Sequence, residues 1–597
     1  MRILIQTYSF HYETVTAIYL KKAVKYHRPC QELTCRLHRL PAPSRASFPS
    51  VPLHPRPNAL KMRQTNGMRL VDSSSAVLAP APSPAPAGLH LRVGKLCVAL
   101  QAQTPAELFD RAENVLADCR FLEFRLDSLP KPAAAFPRLK EFLAAHRDVT
   151  AIATCRRKEN GGSFTGSLTA EIEILLKAAE CGCHIVDLEV ESAEGLRTSQ
   201  LARFREALHA AGAALLVSFH DFTRTKNLEH AADRIQAFEP DFVKVVSTAR
   251  QLSDNLAVLR LIEARSLSAH VVGIAMGEEG LVSRVLGPRA GAAFTFASAG
   301  DGPDAEATAP GQVSARTMLD LYRLDQLDQA TRIFGVAGNP IAHSLSPHMH
   351  NAAFRREVVN AIMLPLKVRV LDDLLTLARD LPLAGIAVTM PLKQEVLPHL
   401  ANMDPLTARI GACNTLRTGA DGKLYGFNTD VAGVVRPLEK RMKLSGSRIV
   451  VLGAGGAARA AIFGLVEQGA EVFVVNRTHE NAVSLARKAK AKSLKQELLA
   501  KTRFDALINT TPCGMAGIKQ PLPIKENELN AGLVFDMVYN PMETPLLKLA
   551  RSRGIPVIGG LEMFVQQGAR QFEIWTGKPA PEAEMYRVVE MALRRHA

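Results

Sequence analysis

The sequence predicts an α/β protein of two parts, a closed parallel barrel followed by an open, doubly wound unit, and three observations predict it. From Lys95 onward eight short apolar runs alternate with helix-length stretches: KLCVALQ, FLEFRLD, TAIATCR, HIVDLEVE, ALLVSFHD, FVKVVSTA, HVVGIAMG and AAFTFAS. Eight β-α units in about 230 residues is the count of a (β/α)8, or TIM, barrel. A second series begins near Arg332 with RIFGVAG, AIMLPLKV and GIAVTMP. It leads into SRIVVLGAGGAARAAIFGLVEQG, a strand, glycine turn and helix of the kind that opens a Rossmann unit. No repeat relates the two halves.

The other bounds are compatible with this. At 597 residues the chain exceeds one core, since domains run to roughly 100–250 residues. No apolar run approaches the ~18 residues that span a bilayer, so a soluble protein without membrane association is expected. The formal charge of +15 is concentrated in residues 1–90, where many Lys and Arg face only Glu13, Glu32 and Asp72. What remains suits anionic small substrates, and no nucleic-acid partner is expected. Residues 1–90 carry little periodicity and include AVLAPAPSPAPAG, an extended Pro/Ala spacer. This Arg-rich, Ser-containing leader reads either as a transit peptide or as a disordered tail or misassigned start. The nine cysteines are scattered, and Cys181-Gly182-Cys183 has no partner at zinc spacing, so no metal is expected.

The barrel strands are unusually charged. In the second run Leu122, Phe124 and Leu126 face one way and Glu123, Arg125 and Asp127 the other; in the fourth, Val186, Leu188 and Val190 oppose Asp187, Glu189 and Glu191. Helices cover the outside of a barrel, so the charged sets are expected to point into it or its mouth, where they must be paired or used. Arg156, His220-Asp221 and Lys244 lie near other strand ends, on the face where such barrels carry out chemistry. A crowded, partly desolvated Lys exposes the neutral amine that condenses with a ketone, and a His is the natural acid/base beside the resulting iminium.

The segments FLEFRLD, CRRKENGG, VDLEVE, SFHDF, DFVKVV, MGEEGLVSRVLG and TAPGQ together resemble type I 3-dehydroquinate dehydratase, over about Leu91 to Leu324. The resemblance implies that Lys244 forms the Schiff base and that His220 shuttles protons during imine formation and dehydration. It gives Arg284 the substrate carboxylate, Glu123, Arg125 and Arg156 its hydroxyls, and Thr308 and Gln312 a place in the loop that closes the site. Asp187 and Glu189 would orient His220 and Lys244. Thr308 stands where the family often has Ser, and Asn160 where some members have Glu.

In the second half, Gly453-Ala454-Gly455-Gly456-Ala457-Ala458 satisfies G-x-G-x-x-A between the strand IVVL and a helix. Gly453 permits the tight turn, Gly455 lets backbone approach a pyrophosphate, and Ala458 allows close helix packing. The next strand, EVFVV, ends in Asn476-Arg477-Thr478 where an NAD site offers an acid to the ribose. Arginine there favours a 2′-phosphate, so NADP(H) is the expected cofactor.

The motifs NPIAHSLSPHMHN, AVTMPLK, GACNT, NTD, INTTPCGM, FDMVYNP and GGLEMFVQQGA resemble shikimate dehydrogenase over about Ile333 to Gly577. That resemblance implies a catalytic pair of Lys393 and Asp430, with Lys393 relaying a proton to the C3 oxygen as hydride arrives from the nicotinamide. Ser344 and Ser346 would bind the substrate carboxylate, and Thr389, Asn414, Tyr539 and Gln567 its remaining polar face. Met537 and Gly560 would line the nicotinamide. Ala387 stands where some relatives carry a polar residue, so one substrate hydrogen bond of those relatives is expected to be missing.

The expected domains are a leader at 1–90, a barrel at 91–325, a substrate-binding subdomain at 332–435 and a Rossmann subdomain at 436–597 whose last helices return to the substrate side. The two resemblances together imply consecutive reactions, 3-dehydroquinate to 3-dehydroshikimate to shikimate. A silent quinate- or shikimate-sensing regulator is the alternative from another class, and a quinate-preferring dehydrogenase a third. Cytoplasm is the expected location, with the plastid as the alternative if the leader is a transit peptide.

Overall fold

The computed structural model describes residues 91, 93–300, 307–520 and 522–596. The readings for the leader at 1–90 and its Pro/Ala spacer lie outside the described residues.

The first eight strands are β1 (Leu96–Leu100), β2 (Phe121–Arg125), β3 (Thr150–Thr154), β4 (Ile185–Glu189), β5 (Ala214–His220), β6 (Phe242–Thr248), β7 (His270–Met276) and β8 (Thr295–Ser298). They form one sheet in the order β7-β6-β5-β4-β3-β2-β1-β8. The remaining gap between β7 and β8 is bridged where Ala293 N donates to Val271 O at 2.8 Å. The helix Pro105–Val115 shows how local sequence sets the outer layer. Thr104 Oγ1 accepts from Glu107 N, Pro105 occupies the first turn, and Leu108, Phe109, Ala112 and Val115 form the buried stripe. Each large apolar side chain buried in this way contributes roughly 1.5–3 kcal/mol.

The barrel interior is layered. Cys97, Phe121, Ile152, Ile185, Leu216, Phe242 and Phe294 form an apolar plug, while Glu123, Asp187, Glu189 and Lys244 are buried farther along their strands. Each strand is shorter than its apolar run: the second stops at Arg125, with Asp127 in the 3-10 turn Leu126–Ser128, and the fourth and eighth are also cut back. The fourth stops at Glu189, and Val190–Glu194 turns into a short helix, so Glu191 leaves the inward face and pairs with Arg234 at 3.1 Å instead. Period-two alternation holds only while the backbone stays extended. The eighth begins at Thr295, after Gly291 (φ 109°) has ended the preceding helix.

The second half has two sheets. β9 (Arg332–Gly338), β10 (Ala361–Lys367), β11 (Leu383–Val388), β12 (Asn402–Met403), β13 (Thr415–Thr418) and β14 (Leu424–Phe427) lie in the order β10-β9-β11-β13-β14-β12. Here β13 runs antiparallel to β11 and β14. The wholly parallel third sheet comprises β15 (Arg448–Leu452), β16 (Glu471–Val475), β17 (Lys492–Ser493), β18 (Ala506–Asn509), β19 (Val534–Asp536) and β20 (Val557–Ile558). Its order, β17-β16-β15-β18-β19-β20, is the 3-2-1-4-5-6 arrangement of a dinucleotide-binding sheet. The helices Gly560–Thr576 and Glu582–His596 then return to the second sheet. Trp575 Nε1 donates to Leu416 O at 2.8 Å, and its ring lies 5.1 Å from that of Phe334. Gly385 makes room for it, since a Cβ there would stand 2.4 Å from Trp575 Nε1.

Candidate functional site

The barrel mouth brings together every substrate or catalytic residue expected there: Glu123, Arg125, Arg156, His220, Lys244, Arg284, Thr308 and Gln312 line one cavity. Strand register explains the arrangement. Ser218 on β5 is level with Lys244 on β6 and with Glu189 on β4, so His220 lies one inward layer above Lys244, nearer the mouth.

Lys244 Nζ lies 2.7 Å from Asp187 Oδ2, 3.8 Å from Glu123 Oε1 and 4.3 Å from the centre of the Phe296 ring. Asp187 Oδ2 is also 3.2 Å from Arg156 Nη2, and Ser218 Oγ lies 2.5 Å from Asp187 Oδ1. Burial alone would raise the Asp187 pKa, but Lys244, Arg156 and His220 outweigh it and hold the carboxyl well below its usual range. Glu189 takes Arg156 Nε at 3.0 Å and His220 Nδ1 at 2.9 Å. With burial as the chief cause, its pKa is pushed up to about 7. Burial first, then Arg156 and Lys244, lowers His220 well below the usual imidazole value. If Nδ1 donates to Glu189, Nε2 is left with a free lone pair.

Arg284, in the helix Leu281–Ala290, is the most telling residue. It is only 1% exposed, its Nη1 donates to Phe296 O at 3.0 Å, and its Nε has no hydrogen-bond partner among the described residues. Desolvation pulls its pKa down to about 10. A buried guanidinium is costly, and its place in the cavity lining suits an anionic group. Gln312 Oε1 accepts from both Thr308 N (2.9 Å) and Thr308 Oγ1 (3.0 Å), which shapes the loop over the cavity. Arg125 forks onto Asp127 at 2.9 and 2.8 Å. Asn160 instead points to Ser192 Oγ at 3.5 Å, part of the buried anchor that Ser192 makes with Glu171. Sequence reading missed Ser218, Thr154, which donates to Glu123 at 2.7 Å, and the lining residues Phe222, Met276 and Phe296. Ser218 and Thr154 were findable as inward partners two residues before His220 and Arg156; the apolar lining carries no such signal.

In the second half Lys393 Nζ lies 2.6 Å from Asp430 Oδ2, and Asp430 Oδ1 accepts from Asn414 Nδ2 at 2.8 Å. Asp430 begins the helix Asp430–Glu439, whose N-terminus favours a carboxylate. Thr429 N donates to Asn414 Oδ1 at 2.7 Å, which fixes the amide's orientation. Ser344 Oγ accepts from Ser346 N at 3.4 Å, and Thr389 packs on Gly338. The helix Gly560–Thr576 gathers other candidates: Gln567 lies against Gly433, one turn along from Asp430, and the Tyr539 ring is 5.2 Å from Phe564. Gln571, unmarked by sequence reading, donates to Asn414 O at 3.3 Å, and its Oε1 lies 3.1 Å from His350 Nε2.

The glycine turn fits a dinucleotide. Gly453 has φ 115°, and a Cβ there would meet Thr510 Oγ1 at 2.5 Å; Cβ atoms on Gly455 or Gly456 would meet nothing within 4 Å. Open space thus lies at the start of the helix Gly456–Glu467. Ala454 and Ala457 flank it, and buried Ala458 packs inside. Past β16, Asn476 Nδ2 donates to Thr478 O at 2.9 Å and Arg477 is exposed. Gly560 approaches the Met537 carbonyl so closely that a Cβ would stand 2.4 Å from it. Thr510 and the buried pair Asn509 and Asp536, 2.9 Å apart, were not singled out from sequence.

Fold and sites define a class, an α/β enzyme carrying a lysine-centred barrel site ahead of a dinucleotide-dependent dehydrogenase unit. The family description "Type I 3-dehydroquinase" matches residues 96–329. "Shikimate dehydrogenase substrate binding domain" matches 336–416, "Shikimate / quinate 5-dehydrogenase" 437–529 and "Shikimate 5'-dehydrogenase C-terminal domain" 560–590. The chloroplastic bifunctional 3-dehydroquinate dehydratase/shikimate dehydrogenase of Arabidopsis thaliana is 35% identical over 456 residues, covering 72% of this chain and 74% of its own. The NADP(+) shikimate dehydrogenase of Methanosarcina mazei is 43% identical over 279 residues, 44% of this chain and 99% of its own. Among solved structures, shikimate 5-dehydrogenase from Thermus thermophilus with NADP(H) and shikimate is 34% identical, covering 44% of this chain and 99% of its own, with a TM-score of 0.41. The chain belongs to the family of bifunctional 3-dehydroquinate dehydratase/shikimate dehydrogenases.

Proposed function

We propose that residues 91–325 dehydrate 3-dehydroquinate to 3-dehydroshikimate and that residues 332–597 reduce this product to shikimate with NADPH, with 332–435 on the substrate side and 436–597 on the dinucleotide side. The observation that carries the reading is the coexistence of two intact lysine–carboxylate pairs, Lys244 with Asp187 and Lys393 with Asp430, one in each half of the chain. A silent sensor has no need of either.

In the first site the Lys244 amine, once deprotonated, adds to the ketone, and loss of water gives an iminium. Electrons from the adjoining C–H bond flow into that iminium as His220 Nε2 takes the proton. The resulting enamine expels the β-hydroxyl, which leaves as water with a proton returned from His220, and hydrolysis of the imine frees Lys244. Arg284 holds the substrate carboxylate, Glu123, Arg125 and Arg156 its hydroxyls, and Thr308 and Gln312 the closing side.

In the second site Ser344 and Ser346 hold the substrate carboxylate, and Thr389, Asn414, Tyr539 and Gln567 its hydroxyl face. Lys393 gives its proton to the carbonyl oxygen as that oxygen becomes an alcohol, and Asp430 keeps the ammonium aimed. NADPH supplies the hydride when bound. The turn from Gly453 to Ala457 would hold its pyrophosphate, Asn476, Arg477 and Thr478 its 2′-phosphate, and Met537 and Gly560 would flank its nicotinamide.

The deciding experiment follows NADPH consumption in wild type, Lys244→Ala and Lys393→Ala. Wild type is expected to consume NADPH from 3-dehydroquinate or 3-dehydroshikimate, Lys244→Ala only from the latter, and Lys393→Ala from neither. Silence of wild type with both substrates would sink the reading. Among the described residues no helix is long and apolar enough to cross a membrane. The basic, acid-poor leader, together with the chloroplastic relative, supports plastid delivery over the cytoplasm. Residues 1–90 fused to a fluorescent protein should enter isolated plastids; exclusion would return the enzyme to the cytoplasm.

A further inference from the structure

The dehydrogenase half reaches into the loops on the catalytic face of the barrel. Arg369 donates from Nε (2.9 Å) and Nη2 (2.8 Å) to Glu279 Oε1 in the β7 loop, and Lys367 Nζ lies 2.5 Å from Glu278 Oε2 and 3.5 Å from Glu279 Oε1. Four residues on, Asp373 accepts from Leu252 N at 2.6 Å and Ser253 N at 2.9 Å, in the β6 loop just ahead of the helix Asp254–Arg265. The two loops are themselves tied. Asn255, fully buried, donates to Glu279 O at 2.8 Å and accepts from Ser283 N, the neighbour of Arg284, at 2.8 Å. Gly277 N donates to Pro310 O at 3.1 Å, and Gly311 sits so close that a Cβ would stand 2.2 Å from Gly277 O. The loop bearing Thr308 and Gln312 therefore rests on the strand end that Glu278 and Glu279 follow.

We propose that segment 367–373 of the dehydrogenase half is a positioning element for the dehydratase site, in which Arg369 and Asp373 hold the loops that seat Arg284 and the Gln312 loop. It rests on the reading of Arg284 and Gln312 as substrate contacts. Arg369 neutralises a carboxylate that is 5% exposed, and Asp373 supplies acceptors to backbone donors of the barrel. Arg284 and Gln312 are read as binding contacts and not as reacting groups, so loss of their placement removes uniform binding and appears in KM for 3-dehydroquinate.

The test uses the full chain. Arg369→Ala is expected to raise the KM for 3-dehydroquinate on the order of tenfold with kcat held within about twofold, while KM for shikimate is unchanged and Arg369→Lys recovers most of the loss. Borohydride trapping of the imine at saturating substrate measures the fraction of competent barrel sites in each sample. An unchanged KM overturns the proposal; so does a fall in kcat or in the trapped fraction with KM unaltered, which marks general loosening. Arg284→Ala run alongside separates two failures. If it raises KM and Arg369→Ala does not, only the brace is overturned; if neither does, the role of Arg284 falls and the brace with it.

Discussion

Lys244 and Asp187 are held 2.7 Å apart by strands β6 and β4, and the same Asp187 oxygen is shared with Arg156 at 3.2 Å. One carboxylate thus orients the amine and balances a second cation in a buried layer. Asp187→Asn keeps the shape and removes the charge. It is expected to cut dehydratase kcat by roughly 10²-fold or more while leaving shikimate oxidation intact. Steady-state assays of both activities on one preparation check this, and an equal loss in both would point to unfolding instead.

The pairing of His220 with Glu189 predicts a pH profile. Glu189 has its pKa raised from 4.5 to about 7. Below that value it is protonated and its O–H donates to Nδ1; the ring proton then sits on Nε2, which has no lone pair left to act as base. Dehydratase kcat/KM is expected to fall about tenfold per pH unit below pH ~7, and Glu189→Gln should remove that break while lowering the plateau. Because the folded value is raised, the stability this group contributes is fully present below pH ~4.5 and is lost as pH rises through ~7. A break that persists in Glu189→Gln would assign it elsewhere.

Arg284 should show opposed effects on binding and stability. Its guanidinium is buried at 1% exposure with an unpaired Nε. Arg284→Met removes the unsatisfied buried group and is expected to stabilise the barrel by about 1–3 kcal/mol. It should also raise KM for 3-dehydroquinate by roughly 10²-fold, the worth of a buried charge-assisted contact. Thermal unfolding and initial rates on the same variant decide it; a lower Tm would show that Arg284 is a structural residue.

Cofactor choice should turn on one exposed side chain. Arg477 follows β16 in open solvent. Arg477→Asp is expected to raise the KM for NADPH by about 10- to 100-fold and to lower that for NADH, with kcat for shikimate changed little. Unaltered preference would place 2′-phosphate recognition on Asn476 and Thr478.

In the dehydrogenase half, Asp430→Asn removes the charge that Asn414 and Lys393 both address and leaves Lys393 unaimed. Shikimate oxidation should drop about 10²-fold with the dehydratase unaffected. The readout is kcat for each reaction, and a loss confined to KM would make Asp430 a binding group only.

Local pattern alone determined much of this protein. The eight apolar runs announced the barrel because a strand buried under helices must be apolar on its outer side. The alternation in FLEFRLD placed Glu123 and Arg125 inside for the same reason, and Gly453 marked a turn that only φ 115° satisfies. Tertiary structure decided what depends on distant segments meeting. It turned Glu191 out of the barrel at a strand end, brought Ser218 and Thr154 to the buried carboxylates, and left Arg284 Nε unpaired. It also laid Arg369 across Glu279, ninety residues away in the chain, a contact with no local signature. Hydrogen-bond period and turn sterics are written along the chain, whereas pairing across loops depends on how whole units pack.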